Sequence, residues 1–281
     1  VSRDLEGKTF MVTGASSGVG LVTARELAAR GGYVVLAVRS ASKATSLVEE
    51  LRANGGACEV LSIDVSDLSS VRAAADQYLA SGRALDVLVN NAGMAGQRGL
   101  SKDGFELTFA TNHLGHFLLT EKLMPLLKAS AQGRLVNVSS EAHYRPKTLD
   151  WEALRRPTVS VSGMDEYGVS KLCNVLHAAE LARRLTGTKV TTYSLHPGVV
   201  ATDVWRKVPS PIAWVMKRFM LTPEQGARTQ LRCAADPALS TETGLYYDSE
   251  RVKEPSRLAK DPALAKELWD RSAEWVSGFL H

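Results

Sequence analysis

Residues 33–38 read YVVLAV, six apolar positions with no polar alternation. A strand wet on one face alternates polar and apolar side chains, whereas an unbroken apolar run needs cover on both faces. Similar runs recur at 8–13, 59–63, 86–90, 135–139 and 190–195, and segments of helical length and spacing lie at 20–30, 41–53, 68–80, 104–129 and 166–185. Strand and helix alternating in this way predicts an α/β chain, a doubly wound parallel sheet with helices on both faces and right-handed crossovers. No internal repeat, low-complexity tract or Pro/Ser linker divides the 281 residues, so a single domain is expected. Two stretches break the rhythm: 144–165, holding Pro146, Trp151 and Pro157, and 202–223, holding Pro209, Pro211, Trp214 and Phe219. Loops this long in a compact domain are usually functional or disordered.

The charge balance narrows the function classes. The 34 Lys and Arg exceed the 30 Asp and Glu by only four and are scattered, without the basic stripe of a nucleic-acid binder. Cys58, Cys173 and Cys233 are odd in number with no C-x-x-C, which fits reduced packing residues in a reducing compartment. His113, His116, His143 and His196 pair with no Cys or acid at ligand spacing, so no metal is expected. No apolar run reaches the ~18 residues that span a bilayer. A cytoplasmic location is therefore expected for the chain as it stands, and membrane association if an anchor before Val1 has been removed.

The run at 13–20, TGASSGVG, fits neither G-x-G-x-x-G nor the P-loop pattern. A strand that enters a glycine turn and leaves as a helix still brings free backbone N–H groups and the positive end of the helix dipole to one point, which suits a phosphate. Ala15, Ser16 and Ser17 are small enough for close approach, and Gly20 lets the helix pack on the strand. The next strand ends in Val38-Arg39, where an acid would select NAD by holding the adenosine ribose. Arg39 can instead pair with a 2′-phosphate, so NADP(H) is the expected cofactor.

In YGVSK at 167–171, Tyr167 and Lys171 stand at i and i+4 and share one helix face. A phenol titrates near ~10 when unperturbed. A neighbouring ammonium and an oxidised nicotinamide ring would both lower that value.

With these residues in hand, the chain resembles the short-chain dehydrogenases/reductases, a Rossmann-like family. TGASSGVG matches the family's TGxxxGxG turn, NNAG at 90–93 its post-strand motif, YGVSK its YxxxK, and Ser139-Ser140 and HPG at 196–198 follow in the expected order. Within the family the likeness is to the retinol dehydrogenases, carried by LAVRS (36–40), TNHLGHFLLT (111–120), RLVNVSSEAH (134–143) and VTTYSLHPGVV (190–200). The resemblance implies Tyr167 as general acid or base, Lys171 tuning it and holding the nicotinamide ribose, and Ser140 bonding the substrate oxygen, with Ser139 the alternative. It also implies that Asn112 holds a water linking Lys171 to solvent. The 27 residues from Ser140 to Tyr167 exceed the usual family spacing, and the excess falls in the 144–165 insertion.

Cofactor contacts carry over likewise. Gly14, Ser16, Gly18 and Val19 would line the pyrophosphate, Asp64 and Val65 the adenine, and Asn91, Ala92 and Gly93 the wall beside the ribose. After Pro197-Gly198, Val200 and Thr202 would meet the carboxamide. Ser17 stands where some NADP-dependent relatives carry Lys or Arg, which leaves Arg39, with Ser40 and Lys43, to choose the cofactor.

The segment VPSPIAWVMKRFMLT (208–222) reads as a buried helix, a lid over an apolar substrate, or a membrane-surface contact. With His143 and Trp151, Trp214 is a candidate wall of an apolar pocket. A retinoid, steroid or medium-chain aldehyde is then the expected substrate. The rival readings are a broad-specificity carbonyl or steroid reductase and a non-catalytic nucleotide sensor. The family often pairs as homodimers through the helices holding Asn112 and Tyr167. Residues 254–281 are expected to form a packing helix without chemistry.

Overall fold

The computed structural model describes residues 2–200 and 221–281; Thr202, Trp214 and residues 208–220 of the apolar segment lie outside the described residues. Eight strands form one sheet: β1 (Thr9–Thr13), β2 (Tyr33–Val38), β3 (Ala57–Ser62), β4 (Val87–Asn90), β5 (Arg134–Val138), β6 (Thr191–His196), β7 (Leu245–Asp248) and β8 (Arg251–Val252), in the order β3-β2-β1-β4-β5-β6-β7-β8. The first seven are parallel, and β8 returns antiparallel to β7.

Each unbroken apolar strand feeds two cores. In β2, Val34, Leu36 and Val38 enter one while Val35 and Ala37 enter the other; in β1, Phe10 and Val12 oppose Met11. The helices are α1 (Gly18–Ala29), α2 (Thr45–Ala53), α3 (Leu68–Ala80), α4 (107–129), α5 (Met164–Arg184), α6 (Pro223–Ala235) and α7 (Pro262–Val276). Apolar residues of α1, α2 and α6 build the first core, and those of α3, α4, α5 and α7 the second. This is the expected α/β, doubly wound, single-domain architecture.

The strand order reverses between β1 and β4, and ligands of open α/β sheets bind outside the carboxyl ends of the strands at such a point. TGASSGVG follows β1 there, and NNAG runs out of β4.

Some boundaries differ from the expectation. The helix anticipated from residue 104 begins at 107, because Gly104 has φ +78° and serves a turn closed by its N–H to Ser101 O. β7, β8 and α6 fall outside the runs that predict strands and helices from the sequence. Before α5 begins at Met164, the 144–165 insertion holds only short 3₁₀ turns, yet it is pinned: Glu106 N–H donates to Leu154 O at 2.9 Å, and the Glu166 carboxylate accepts from Val159 and Ser160 N–H at 3.0 and 2.9 Å. The three cysteines are free and buried, as expected.

Candidate active site

Gly14 leaves β1 with φ +69°, a left-handed conformation that favours glycine, and a Cβ on it would stand 3.0 Å from Ala92 Cα. At Gly20 a Cβ would meet Asn91 Nδ2 at 2.4 Å and Gly14 O at 2.6 Å. The two glycine contacts press the turn after β1 against the turn after β4. Ser17 precedes α1 in an extended conformation and its side chain makes no capping bond, so α1 begins without a side-chain cap on its first N–H groups.

Thr13 holds the second turn. Its Oγ1 accepts from Asn91 and Ala92 N–H, both at 2.9 Å, while Asn91 Nδ2 donates to Thr13 O at 2.7 Å. The same hydroxyl lies 2.9 Å from His116 Nε2, and His116 Nδ1 lies 3.2 Å from Asn112 O. A carbonyl accepts only, so Nδ1 carries the proton and Nε2 accepts from Thr13. Burial holds His116 down to about 4, keeping it neutral in that role.

Asn112 sits in a π turn, Ala110–Leu114, inside α4. Its Oδ1 accepts from Met94 N–H at 2.8 Å, and its Nδ2 donates to Met94 O at 3.0 Å and to Ser170 Oγ at 2.9 Å. Both amide N–H bonds and one lone pair of Oδ1 thus fasten NNAG-Met94 to α5, and Asn112 stands behind the cleft wall rather than in it.

One cleft of about 1320 Å³ runs along this end of the sheet. It is lined by Gly14, Ser16, Ser17, Gly18, Val19 and Gly20 of the first turn, by Asp64 and Val65, and by Asn91, Ala92 and Gly93. Arg39, Ser40 and Lys43 line the end beside β2, and Pro197, Gly198 and Val200 the end beside β6. Arg39 and Lys43 are exposed and have no acidic partner among the described residues.

Ser140, Tyr167 and Lys171 converge on the same cleft. Ser140 heads the 3₁₀ turn Glu141–Tyr144 and accepts from Ala142 N–H at 3.2 Å. That turn lies tight on α5, where a Cβ at Gly168 would come 3.0 Å from Ala142 O. Lys171 Nζ lies 5.6 Å from the Tyr167 ring centroid and donates to Val138 O at 2.9 Å. Burial lowers it to about 8. Ser139 is buried, and its Oγ donates to Lys171 O at 2.7 Å.

Three expectations need correction. With the residues of this chain, the Tyr167 phenol is raised above its ordinary value: burial dominates, and the opposing pulls come from Ser140 and Arg145, not Lys171. His143 is not a pocket wall. It is fully buried, donating from Nδ1 to Ser140 O at 2.7 Å and accepting at Nε2 from Ser256 N–H at 3.1 Å, so it braces Ser140 from behind. Trp151 is also away from the cleft; it packs against the second core with the Arg271 guanidinium 4.8 Å over its ring. Conversely, Arg145, Gln97, Met94 and Met164 line the cleft without having been expected there. Arg145 ends the turn that Ser140 begins, and no motif marks it.

Comparison with known proteins agrees with this geometry. A family profile described as short chain dehydrogenase matches residues 8–150. The chain is 42% identical over 275 residues to retinol dehydrogenase 11 of Homo sapiens, covering 96% of this chain and 86% of that one. It is 42% identical over 279 residues to dehydrogenase/reductase SDR family member 13 of Bos taurus, covering 95% and 73%. A crystal structure of an uncharacterized protein from Mycobacterium paratuberculosis superposes with a TM-score of 0.77 at 35% identity, covering 99% of this chain and 97% of that one.

Proposed function

This chain belongs to the short-chain dehydrogenase/reductase family, and from that premise we propose an NADP(H)-dependent oxidoreductase that interconverts a hydrophobic aldehyde or ketone and its alcohol. The observation that carries the reading is the convergence of Ser140, Tyr167 and Lys171 on the cleft that the glycine turn opens.

The residues present fit a phosphorylated dinucleotide. Gly14 and Gly20 let the turn after β1 close against Asn91 and Ala92, both turns line the cleft, α1 starts without a side-chain cap, and Arg39 and Lys43 offer cationic partners to a 2′-phosphate. When bound, the cofactor supplies hydride to the carbonyl carbon, or takes it from the alcohol carbon in reverse. Tyr167 gives its phenolic proton to the carbonyl oxygen in reduction and takes it back in oxidation. Ser140 donates a hydrogen bond to that oxygen as charge develops on it. Lys171, whose Nζ lies 5.6 Å from the Tyr167 ring centroid, would hold the ribose hydroxyls.

Met94, Ala95, Met164 and Val199 line the substrate end of the cleft and support an apolar substrate, as does the likeness to a retinol dehydrogenase. A second reading, reduction of carbonyl compounds that also carry polar groups, is favoured by Arg145, Gln97 and Glu141 on the same walls. Initial rates with NADPH and NADH against all-trans-retinal, medium-chain aldehydes and ketosteroids separate the two. Faster turnover of retinal with NADPH supports the first reading, and a flat profile across the panel supports the second. Tight NADPH binding with no turnover of any carbonyl would overturn both in favour of a nucleotide sensor.

A further inference from the structure

The end of β5 and the middle of α5 are joined by four side-chain hydrogen bonds among five residues. Ser139 Oγ donates to Lys171 O at 2.7 Å, and Asn137 Nδ2 donates to Asn174 O at 3.4 Å. Between them, Val138 O accepts twice, from Lys171 Nζ at 2.9 Å and from Asn174 Nδ2 at 3.0 Å. Both donors are almost fully buried. A carbonyl oxygen has two lone pairs and an ammonium three N–H bonds. With Asn174 on one lone pair, Lys171 has a single direction of approach to Val138, and its other two N–H bonds are left for the cleft.

Sharing an acceptor also weakens it toward each donor. Were Val138 O free of Asn174, it would hold the ammonium more strongly and draw it back from the cleft. Among the described residues, the other groups around Lys171 offer no competing anchor: Tyr167 presents its ring, and burial favours the neutral form of His116 on α4 and of His196 at the end of β6. Burial is also what lowers Lys171 itself to about 8.

We propose that Asn174 is a positioning residue for Lys171, saturating Val138 O so that the lysine amine is aimed at the cofactor ribose and Tyr167 instead of being captured by the strand. The proposal rests on the reading of Tyr167 and Lys171 as the reacting pair, and its test has one arm that needs no turnover. Asn174→Ala removes the competing donor, and Asn174→Leu removes it while keeping side-chain volume and adding no charge. Each variant is checked for folding by circular dichroism and thermal melting. In the first arm, steady-state reduction of the best carbonyl substrate should lose about tenfold in kcat, with KM for that substrate within about twofold. In the second, Lys171 is titrated by ¹³C NMR of protein carrying ¹³C-labelled lysine, its signal identified by its loss in Lys171→Arg. Its midpoint should rise in Asn174→Ala, because the ammonium gains a better acceptor. A folded Asn174→Ala with an unmoved Lys171 midpoint and wild-type kcat would overturn the proposal; if that variant does not fold, the same result with Asn174→Leu would. If wild type turns over no carbonyl, the enzymatic reading fails while the titration still decides the role of Asn174.

Discussion

Thr13 donates to His116 Nε2 across 2.9 Å behind the turn after β4, and the bond requires a neutral imidazole. Burial holds His116 at about 4, whereas an unfolded histidine titrates near ~6.5. The unfolded chain therefore binds the proton first on acidification. The stability linked to this site is fully present above ~6.5 and is lost as pH falls toward the folded value. At pH 5 the loss from this site is about 2 kcal/mol. His113, His143, His177 and His196 are lowered by burial in the same direction. The urea midpoint should fall steeply between pH 7 and pH 5, before the carboxylates titrate. A flat midpoint across that window would contradict the buried neutral histidines.

Tyr167→Phe should reduce kcat for carbonyl reduction by about 10²–10⁴-fold, the usual worth of a general acid. The phenol is not needed for the pyrophosphate turn, so NADPH affinity by fluorescence titration should stay within about threefold of wild type. A related pH effect belongs to Lys171, charged below about 8 and neutral above it. The rate constant kcat/KM for NADPH should decline as pH rises through that value, and Lys171→Arg should remove this limb even where it lowers the rate. Retention of most turnover by Tyr167→Phe would refute its assignment.

Ser139 and Ser140 are neighbours with opposite placements. Ser140 should act on the substrate oxygen, so Ser140→Ala is expected to lower kcat by about 10²–10³-fold with little change in melting temperature. Ser139 Oγ is buried on the Lys171 carbonyl, so Ser139→Ala should cost about 1 kcal/mol of stability. Its kcat should suffer less than that of Ser140→Ala. The reverse ranking of the two kcat values would exchange their roles.

Legibility in the sequence followed the range of the physics. YVVLAV and its counterparts announce a two-sided sheet because burial on both faces acts on every residue of a strand. β7 and β8, four and two residues long, leave too short a pattern. TGASSGVG and YGVSK are local, so spacing alone locates a turn and a shared helix face. His143 misled because closeness to Ser140 in sequence says nothing about which side of the backbone it takes; its ring turned inward to Ser256, 113 residues away. Arg145 and the Val138 acceptor shared by Lys171 and Asn174 depend on how a strand end meets a helix. No periodicity encodes that meeting.

Arg39 and Lys43 line the end of the cleft beside β2. Arg39→Asp replaces a cation with an anion where a 2′-phosphate would lie and offers a carboxylate to a ribose 2′-hydroxyl. The ratio of kcat/KM for NADPH to that for NADH should fall at least tenfold, a change of about 1.4 kcal/mol. Lys43→Ala should move the ratio the same way by less, because a lysine lacks the paired donors of the guanidinium. An unchanged ratio in Arg39→Asp would mean that cofactor choice lies elsewhere.

Gly20 tests whether the two turns work as one cradle. An added methyl would meet Asn91 Nδ2 at 2.4 Å and Gly14 O at 2.6 Å, and the Asn91 amide is not free to move because it donates to Thr13 O at 2.7 Å. Gly20→Ala should therefore cost about 1–3 kcal/mol of stability, the range for overpacking a rigid site. It should also weaken NADPH binding, since relief of the clash displaces the first turn. Gly278→Ala is the matched control: nothing lies within 4 Å of its added methyl, so stability and cofactor affinity should both stay at wild-type values. If Gly20→Ala binds NADPH as tightly as Gly278→Ala does, the contact between the turns packs the sheet edge and does not shape the phosphate site.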